Sequence, residues 1–299
     1  MDNNYFYDFK FNFKLIEILK MLNKEASYIL GDIGGTRIRF GLSKNLKKID
    51  KVWVFETPKN YKEFLNLIGK FSNEKFRKAC FGLAGNFNCK KEKLIYAPNL
   101  KDYEGKDLKK DLEKILKCEV ILENDACLAG LGEAYFGAGK GYKIFSYITF
   151  SSGIGGVKIV NYKPDDNIFG FEPGHSLFLL NQEKNKTLIF EAEDLIGGKN
   201  LEEIFQKRVE EIKDKKIWLQ LTKLYALFLV NVSLFWSPGV IVVGGGLSKN
   251  LNFKVLNKNF QKFHPLGWKI KILKSKLKDL SGVYGCLILL DEKIQINNF

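Results

Sequence analysis

Arginine is scarce in this 299-residue chain: Arg37, Arg39, Arg77 and Arg208 are the only four, although Lys and Arg together number 48 and the net charge is +14. Such a charge invites nucleic acid as a partner. Readers of nucleic acid, however, rely on arginine for bidentate contacts. Lysine is instead spread along the whole chain among abundant Asn, Ile and Phe, the pattern of a solvated surface, and no nucleic-acid partner is expected. The five cysteines are odd in number and none forms a C-x-x-C pair. That excludes a disulfide framework and a thiolate zinc site, and points to reduced thiols in a cytoplasmic protein. Long apolar runs are also missing. The longest, "LYALFLVNVSLFW" from Leu224 to Trp236, falls short of a bilayer span and is stopped by Pro238, so it reads as a buried helix with no membrane role. Asp2, Asp8 and Lys10 interrupt the start before a secretory signal can form. Neither ordinary nucleotide fingerprint is present: no G-x-x-x-x-G-K-[ST] occurs, and no G-x-G-x-x-G follows a strand.

The rest of the composition is that of a folded protein, with 45% apolar and 27% charged residues, 27 Gly and 6 Pro. Residues 1–27 read as an aromatic-rich extension whose "FKLIEILKMLNK" has the spacing of an amphipathic helix. Strands and helices then alternate. "YILGDIGGTRIRFGLSK" reads as a hairpin whose Gly34-Gly35 supplies positive-φ turn residues, "YKEFLNLIGKF" as a helix, and "KACFGLAG" as an apolar strand. "LKKDLEKIL" is a helix, "EVILEND" a strand ending on acids, and "ACLAGLGEAYFGAG" a helix of small residues stopped by glycine. This rhythm defines an α/β fold with a partly parallel sheet. A short internal repeat, "IGGTRIRF" (Ile33–Phe40) against "IGGVKIVN" (Ile154–Asn161), places a glycine pair at the tip of each of two hairpins. It suggests duplicated domains facing one another across a cleft.

Several of these stretches could carry chemistry. Two glycine-rich tips aimed into one cleft would offer backbone N–H groups to phosphates, although Gly34-Gly35 alone is equally a plain hairpin. "VIVVGGGLSKN" (Val240–Asn250) runs an apolar strand into Gly244, Gly245 and Gly246, a place for a flat adenine or simply a tight turn. "ILENDACLAG" sets Asn124 and Asp125 at a strand end before a helix. Either residue could cap the helix, or Asp125 could stay ionised near the positive helix end and accept a proton. "FEPGHS" puts Glu172 and His175 around a Pro-Gly turn, and His175 is one of only two histidines. Glu193 and Asp194 could begin a helix.

Taken together and in order, these motifs resemble the ROK (repressor, open reading frame, kinase) family of sugar kinases and repressors. The family belongs to the actin-like ATPase superfamily, with two ribonuclease-H-like domains around a central cleft. The resemblance runs from about Tyr28 to Leu290. "GDIGGTRIRFGL" is similar to the first phosphate motif, "GLAG" and "YAPNL" to segments leading to the sugar site, and "ENDACLAGLGEAYFGAG" to the catalytic segment. "ITFSSGIGG" is similar to the second phosphate motif, "EPGHS" to the E-x-G-H signature, "IVVGGGLSKN" to the adenosine motif, and "LSGVYGCLILL" to the closing helix. The resemblance implies an ATP-dependent hexose kinase, glucokinase-like, with Asp125 as general base. Asn99, Asn124, Asp125, Glu172, His175 and Glu193 then match sugar-binding positions, with Glu193 preferred to Glu191 because it lies five residues before Gly198. Asp32, Gly34, Gly35, Thr36, Ser152, Gly153, Gly155, Gly244, Gly245 and Gly246 match the nucleotide site. Asp32 would hold Mg²⁺ through its water shell, without direct protein ligation. The implied domains are a small one over 28–125, rejoined by a C-terminal helix at about 282–299, and a large one over 126–281; a homodimer is expected.

Two departures stand out. Many members carry a cysteine-rich zinc motif after the histidine, but the segment here, "SLFLLNQEKNKTLIFEAE", has no cysteine, so no zinc site is expected. Ser151-Ser152-Gly153 stands where the family usually has Gly-Thr-Gly. The repressor branch carries a winged helix-turn-helix, for which the roughly 27 residues before Tyr28 are too few.

Overall fold

The computed structural model describes residues 26–183 and 186–291. The helix expected before residue 26 and the end of the closing helix lie outside the described residues. Chain order begins with β1 (Ser27–Ile33), β2 (Arg37–Ser43), β3 (Lys51–Glu56) and helix α1 (Tyr61–Gly69). Next come β4 (Phe76–Leu83), a short ribbon of β5 (Asn86–Phe87) and β6 (Leu94–Tyr96), α2 (Leu108–Leu116), β7 (Glu119–Asn124) and α3 (Asp125–Phe136). The second half holds β8 (Ile144–Phe150), β9 (Ile154–Val160), β10 (Lys163–Pro164), a ribbon of β11 (Leu177–Glu183) and β12 (Lys186–Glu191), α4 (Ala192–Ile196) and α5 (Gly198–Phe205). It closes with α6 (Lys215–Trp236), β13 (Val240–Gly244), α7 (Phe253–Phe263), β14 (Lys271–Lys274) and α8 (Ser281–Leu290).

The strands form two five-stranded sheets, ordered β3-β2-β1-β4-β7 and β10-β9-β8-β13-β14. Position by position the two sheets pair alike: antiparallel for the first two junctions and parallel for the last two. The duplication suggested by the short repeat is therefore present in the topology. Its residue match, however, is out of register with the strands. Ile33 ends β1 whereas Ile154 opens β9, so Gly155 and Gly156 lie inside a strand and the second tip is Ser151–Gly153. Nor do Gly34 and Gly35 take positive φ. The first tip is closed by Gly34 N–H donating to Arg37 O at 3.1 Å. Residue 35 is small for a steric reason: a Cβ there would lie 2.6 Å from Asn99 Cβ.

α3 and α8 lie between the sheets. Leu128, Leu131 and Ala134 of α3 and Val283, Cys286 and Leu287 of α8 share one core with Leu30 and Cys80 of the first sheet and Tyr147 and Val242 of the second. A helix with nine of twelve residues buried, as α3 has, reads apolar all round because neighbours cover every face. The two helices cross at close range, since a Cβ on Gly285 would sit 1.9 Å from Leu128 O. α6 is longer than the 13-residue apolar run suggested. Asp214 caps it early by accepting Lys216 N–H at 2.7 Å, and its 22 residues would suffice for a membrane span by length and composition. Instead Tyr225, Phe228 and Leu229 are buried in the core of the second sheet.

Candidate active site

The carboxyl ends of β1, β4, β7, β8 and β13 carry the glycine tips and acids, the side on which open α/β sheets bind ligands. The Asn-Asp pair divides its tasks there. Asn124 caps α3, its Oδ1 accepting Cys127 N–H at 3.1 Å while its Nδ2 donates to Gly85 O at 3.1 Å. The carboxyl of Asp125 is thereby released from capping, and its Oδ1 accepts the local N–H of Ala126 at 2.8 Å. Burial pushes Asp125 up to about 6, although the Ala126 and Asp125 backbone N–H groups pull the other way. Asp32, at the end of β1, is pushed up to about 7 by burial and by the negative charge of Asp125. Arg39, its cross-strand partner in β2, partly offsets this, and Asp279 adds to it. Asp279 in turn pairs with Arg39 at 3.8 Å and with Lys249, just past the third glycine site, at 3.4 Å.

Two facing carboxylates that resist ionisation are the electrostatic setting a divalent cation relieves. Among the described residues no three His, Cys, Asp or Glu side chains converge as a ligand set. Two oxygen donors alone fit a divalent cation that keeps most of its water.

The first tip is braced from outside. Thr57 Oγ1 donates to Gly34 O at 2.7 Å, and Lys59 Nζ donates to Gly35 O and, at 3.3 Å, to Asn99 O. Thr36 is exposed at the apex. A groove of about 510 Å³ lined by Lys59, Pro98, Asn99, Lys101 and Asp102 opens beside it. The second tip is braced from behind. Gly198 N–H and Lys199 N–H, at the start of α5, donate to Ser151 O and Ser152 O, each at 2.9 Å. Glu193 Oε2 accepts Ile154 N–H at 2.6 Å and lies against Gly153. Gly155 faces Ala126, next to Asp125. The third site has Gly244 against the Tyr147 hydroxyl, Gly245 at φ +81° and Gly246 facing open space.

Glu172 and His175 flank a short 3-10 turn, Pro173–His175. Solvent reaches Glu172, yet the cleft walls desolvate its carboxyl enough to raise it. Asp125 and Glu193 add to the rise, while His175 and a hydrogen bond from Asn86 oppose it. For His175 desolvation acts downward, but the Glu191 hydrogen bond and the charges of Glu191, Glu172 and Glu193 outweigh it and raise the imidazole. His175 Nδ1 lies 2.6 Å from Glu191 Oε2. Asp32, Asp125, Glu172, His175 and Glu193 are thus one electrostatically connected group, and Asn99 stands at the first tip. Sequence reasoning missed Asn86, Lys59 and Tyr147, and it set Glu191 aside in favour of Glu193. Asn86 follows "GLAG" directly, and Glu191 is the other acid of "FEAED"; Tyr147 is hidden in an apolar strand, though its phenol faces Asp32 and Asp125.

A duplicated five-stranded mixed sheet around paired helices, with glycine tips and acids at the strand ends, is the fold of the actin-like ATPases. Within it the chain belongs to the ROK family, whose model matches residues 28–293. It is similar to the N-acetyl-D-glucosamine kinase of Histophilus somni, 27% identical over 86% of this chain and 97% of the relative. It is also similar to the glucokinase of Streptomyces coelicolor, 24% identical over 87% and 96%. The crystal structure of a ROK family glucokinase from Streptomyces griseus in complex with glucose and AMPPNP matches with a TM-score of 0.72 at 23% identity, covering 88% of this chain and 99% of that one.

Proposed function

We propose that this protein transfers the γ-phosphoryl group of ATP to a hexose hydroxyl, a glucokinase-like activity. The observation that carries the reading is Asp125: freed from helix capping by Asn124, it sits at the carboxyl end of β7 with a carboxyl raised to about 6, near enough to Asp32 for its charge to raise that carboxyl too. A base must be ionised at working pH yet able to take a proton, and a value near 6 serves both needs. In this reading Asp125 accepts the proton of the attacking sugar hydroxyl. Asn86, Asn99, Asn124, Glu172, His175 and Glu193 hold the ring. The tips at Gly34–Thr36 and Ser152–Gly153, with Gly155 and Gly244–Gly246, receive the nucleotide. Phosphoryl transfer has a loose transition state, so alignment and charge neutralisation supply most of the rate. Mg²⁺ bound with ATP supplies that neutralisation, and Asp32 holds its water shell. Residues 28–125 with α8 would form the smaller lobe and 126–281 the larger. The free thiols support a reducing cytoplasm, and a homodimer follows from the family resemblance.

A coupled assay with Mg-ATP across a panel of glucose, fructose, mannose and N-acetylated hexoses tests the reading. Turnover is expected with at least one, and Asp125→Asn is expected to lower kcat by about 10²–10⁴-fold while the sugar still raises its melting temperature. Unchanged turnover in that variant removes Asp125 from the chemistry. Sugar binding without turnover in the wild-type protein would instead mark a regulatory member that kept the fold, a reading to which Ser151 at a usual glycine position lends some support.

A further inference from the structure

The segment between His175 and Glu191 folds as the β11–β12 ribbon, and its closure brings those two side chains together. Leu177 pairs with Glu191 and Phe178 with Phe190 across the ribbon. Ala192 N–H donates to Ser176 O at 2.8 Å at its base. Glu191 is also the N-cap residue of α4, and its N–H donates to Asp194 Oδ2 at 3.0 Å. Backbone pairing and this hydrogen bond fix where residue 191 stands, and its carboxylate lies 2.6 Å from His175 Nδ1. Its partner is the imidazole.

We propose that Glu191 is a positioning residue that sets the ring orientation and tautomer of His175, so that Nε2 is presented as a hydrogen-bond acceptor to a hydroxyl of the sugar. A carboxylate can only accept, so the neutral ring must carry its proton on Nδ1. Nε2 then keeps its lone pair, and among the described residues no hydrogen bond is recorded to it. A carboxylate behind a working histidine acts in this way whether the ring serves a metal, a nucleophile or a ligand. The inference rests on the sugar-kinase reading, and it adds a residue and a proton position to it.

Two substitutions separate positioning from capping. Glu191→Asn keeps a short, strong N-cap but cannot reach the ring. Glu191→Gln keeps an oxygen at the right reach for Nδ1–H but caps more weakly. If Glu191 orients His175, Asn at 191 raises the KM for the sugar acceptor about 10–100-fold, the range for loss of such a partner, and leaves the KM for ATP unchanged, while Gln stays near wild type. If Glu191 only caps α4, the order reverses, and that overturns the proposal. A second readout needs no turnover. The chain has two histidines, so ¹⁵N spectra of the imidazoles at about pH 9 are assigned by comparison with His175→Gln. Wild type should show the Nδ1–H tautomer at His175, and Glu191→Asn should shift it toward Nε2–H. An Nε2–H tautomer in the wild type, or a ring unaffected by Glu191→Asn, overturns the proposal. Absence of turnover with every hexose would fell the kinase reading, and the tautomer measurement would still decide the Glu191–His175 relation.

Discussion

At the scale of single residues, the raised carboxyls of Asp125 and Asp32 set both activity and stability. With Asp125 as the proposed base, its protonation would stop the reaction, so kcat/KM is expected to fall as pH drops through about 6. Stability runs the opposite way. An unfolded Asp releases its proton near 3.8, whereas native Asp125 holds it to about 6. Between those values the native state binds the extra proton, so its stability declines as pH rises through the window and the loss is complete above it. Each tenfold change in proton affinity corresponds to about 1.4 kcal/mol, and solvent reaching the half-buried carboxyl reduces the sum, leaving on the order of 1–2 kcal/mol. Asp125→Asn should therefore be inactive yet melt higher than wild type at pH 8, with the gain gone at pH 3. A loss of stability at pH 8 would show that the carboxylate is well accommodated and the electrostatic account wrong. The sequence exposed Asp125 as a candidate but left its task open, because Asn and Asp are both good caps and only coordinates show that Asn124 does the capping.

At the scale of elements, α3 ties Asp125 to the closing helix through a residue that carried no signal in the sequence. Glu133 is fully buried and surrounded by donors. Its Oε1 accepts from Ser275 Oγ at 2.7 Å, Leu277 N–H at 2.9 Å and Ser281 Oγ at 3.0 Å. Oε2 accepts from Ala138 N–H at 2.7 Å and Lys276 N–H at 3.1 Å. These bonds pin the turn before α8, whose Gly282 lies against Asp32. Glu133→Gln keeps the shape but turns an NH₂ toward donors at one oxygen site. Unpaired buried donors cost about 1–3 kcal/mol each, so urea unfolding should show a loss of about 2–4 kcal/mol. A variant as stable as wild type would mean that the turn is held by packing alone. Glu133 sits in an apolar, small-residue helix, and four of its five donors lie more than 140 residues away, so local pattern could not reveal it. Hairpins and helices were legible because their periodicity is local; the offset between the two glycine pairs was not, because identical dipeptides can occupy a tip or a strand interior.

At the scale of the whole molecule, the question is what replaces a metal as the fastener of the loop between His175 and Glu191. Composition already excluded a thiolate cluster, since no cysteine lies between Cys127 and Cys286. The physical substitute is the ribbon itself: paired backbone, the Glu191 N–H bond to Asp194, and the His175–Glu191 contact. These contacts join protein groups directly, so folding is expected not to depend on metal binding, unlike domains whose folding free energy is metal binding. Purified protein should contain no stoichiometric zinc by metal analysis, and a strong chelator should leave its melting temperature unchanged. The same chelator should abolish turnover with ATP, and excess Mg²⁺ should restore it, because in the proposed mechanism the cation enters with the nucleotide. A chelator that lowers the melting temperature, with zinc restoring it, would show that the ribbon does not close on its own and would return His175 to a metal-bound role.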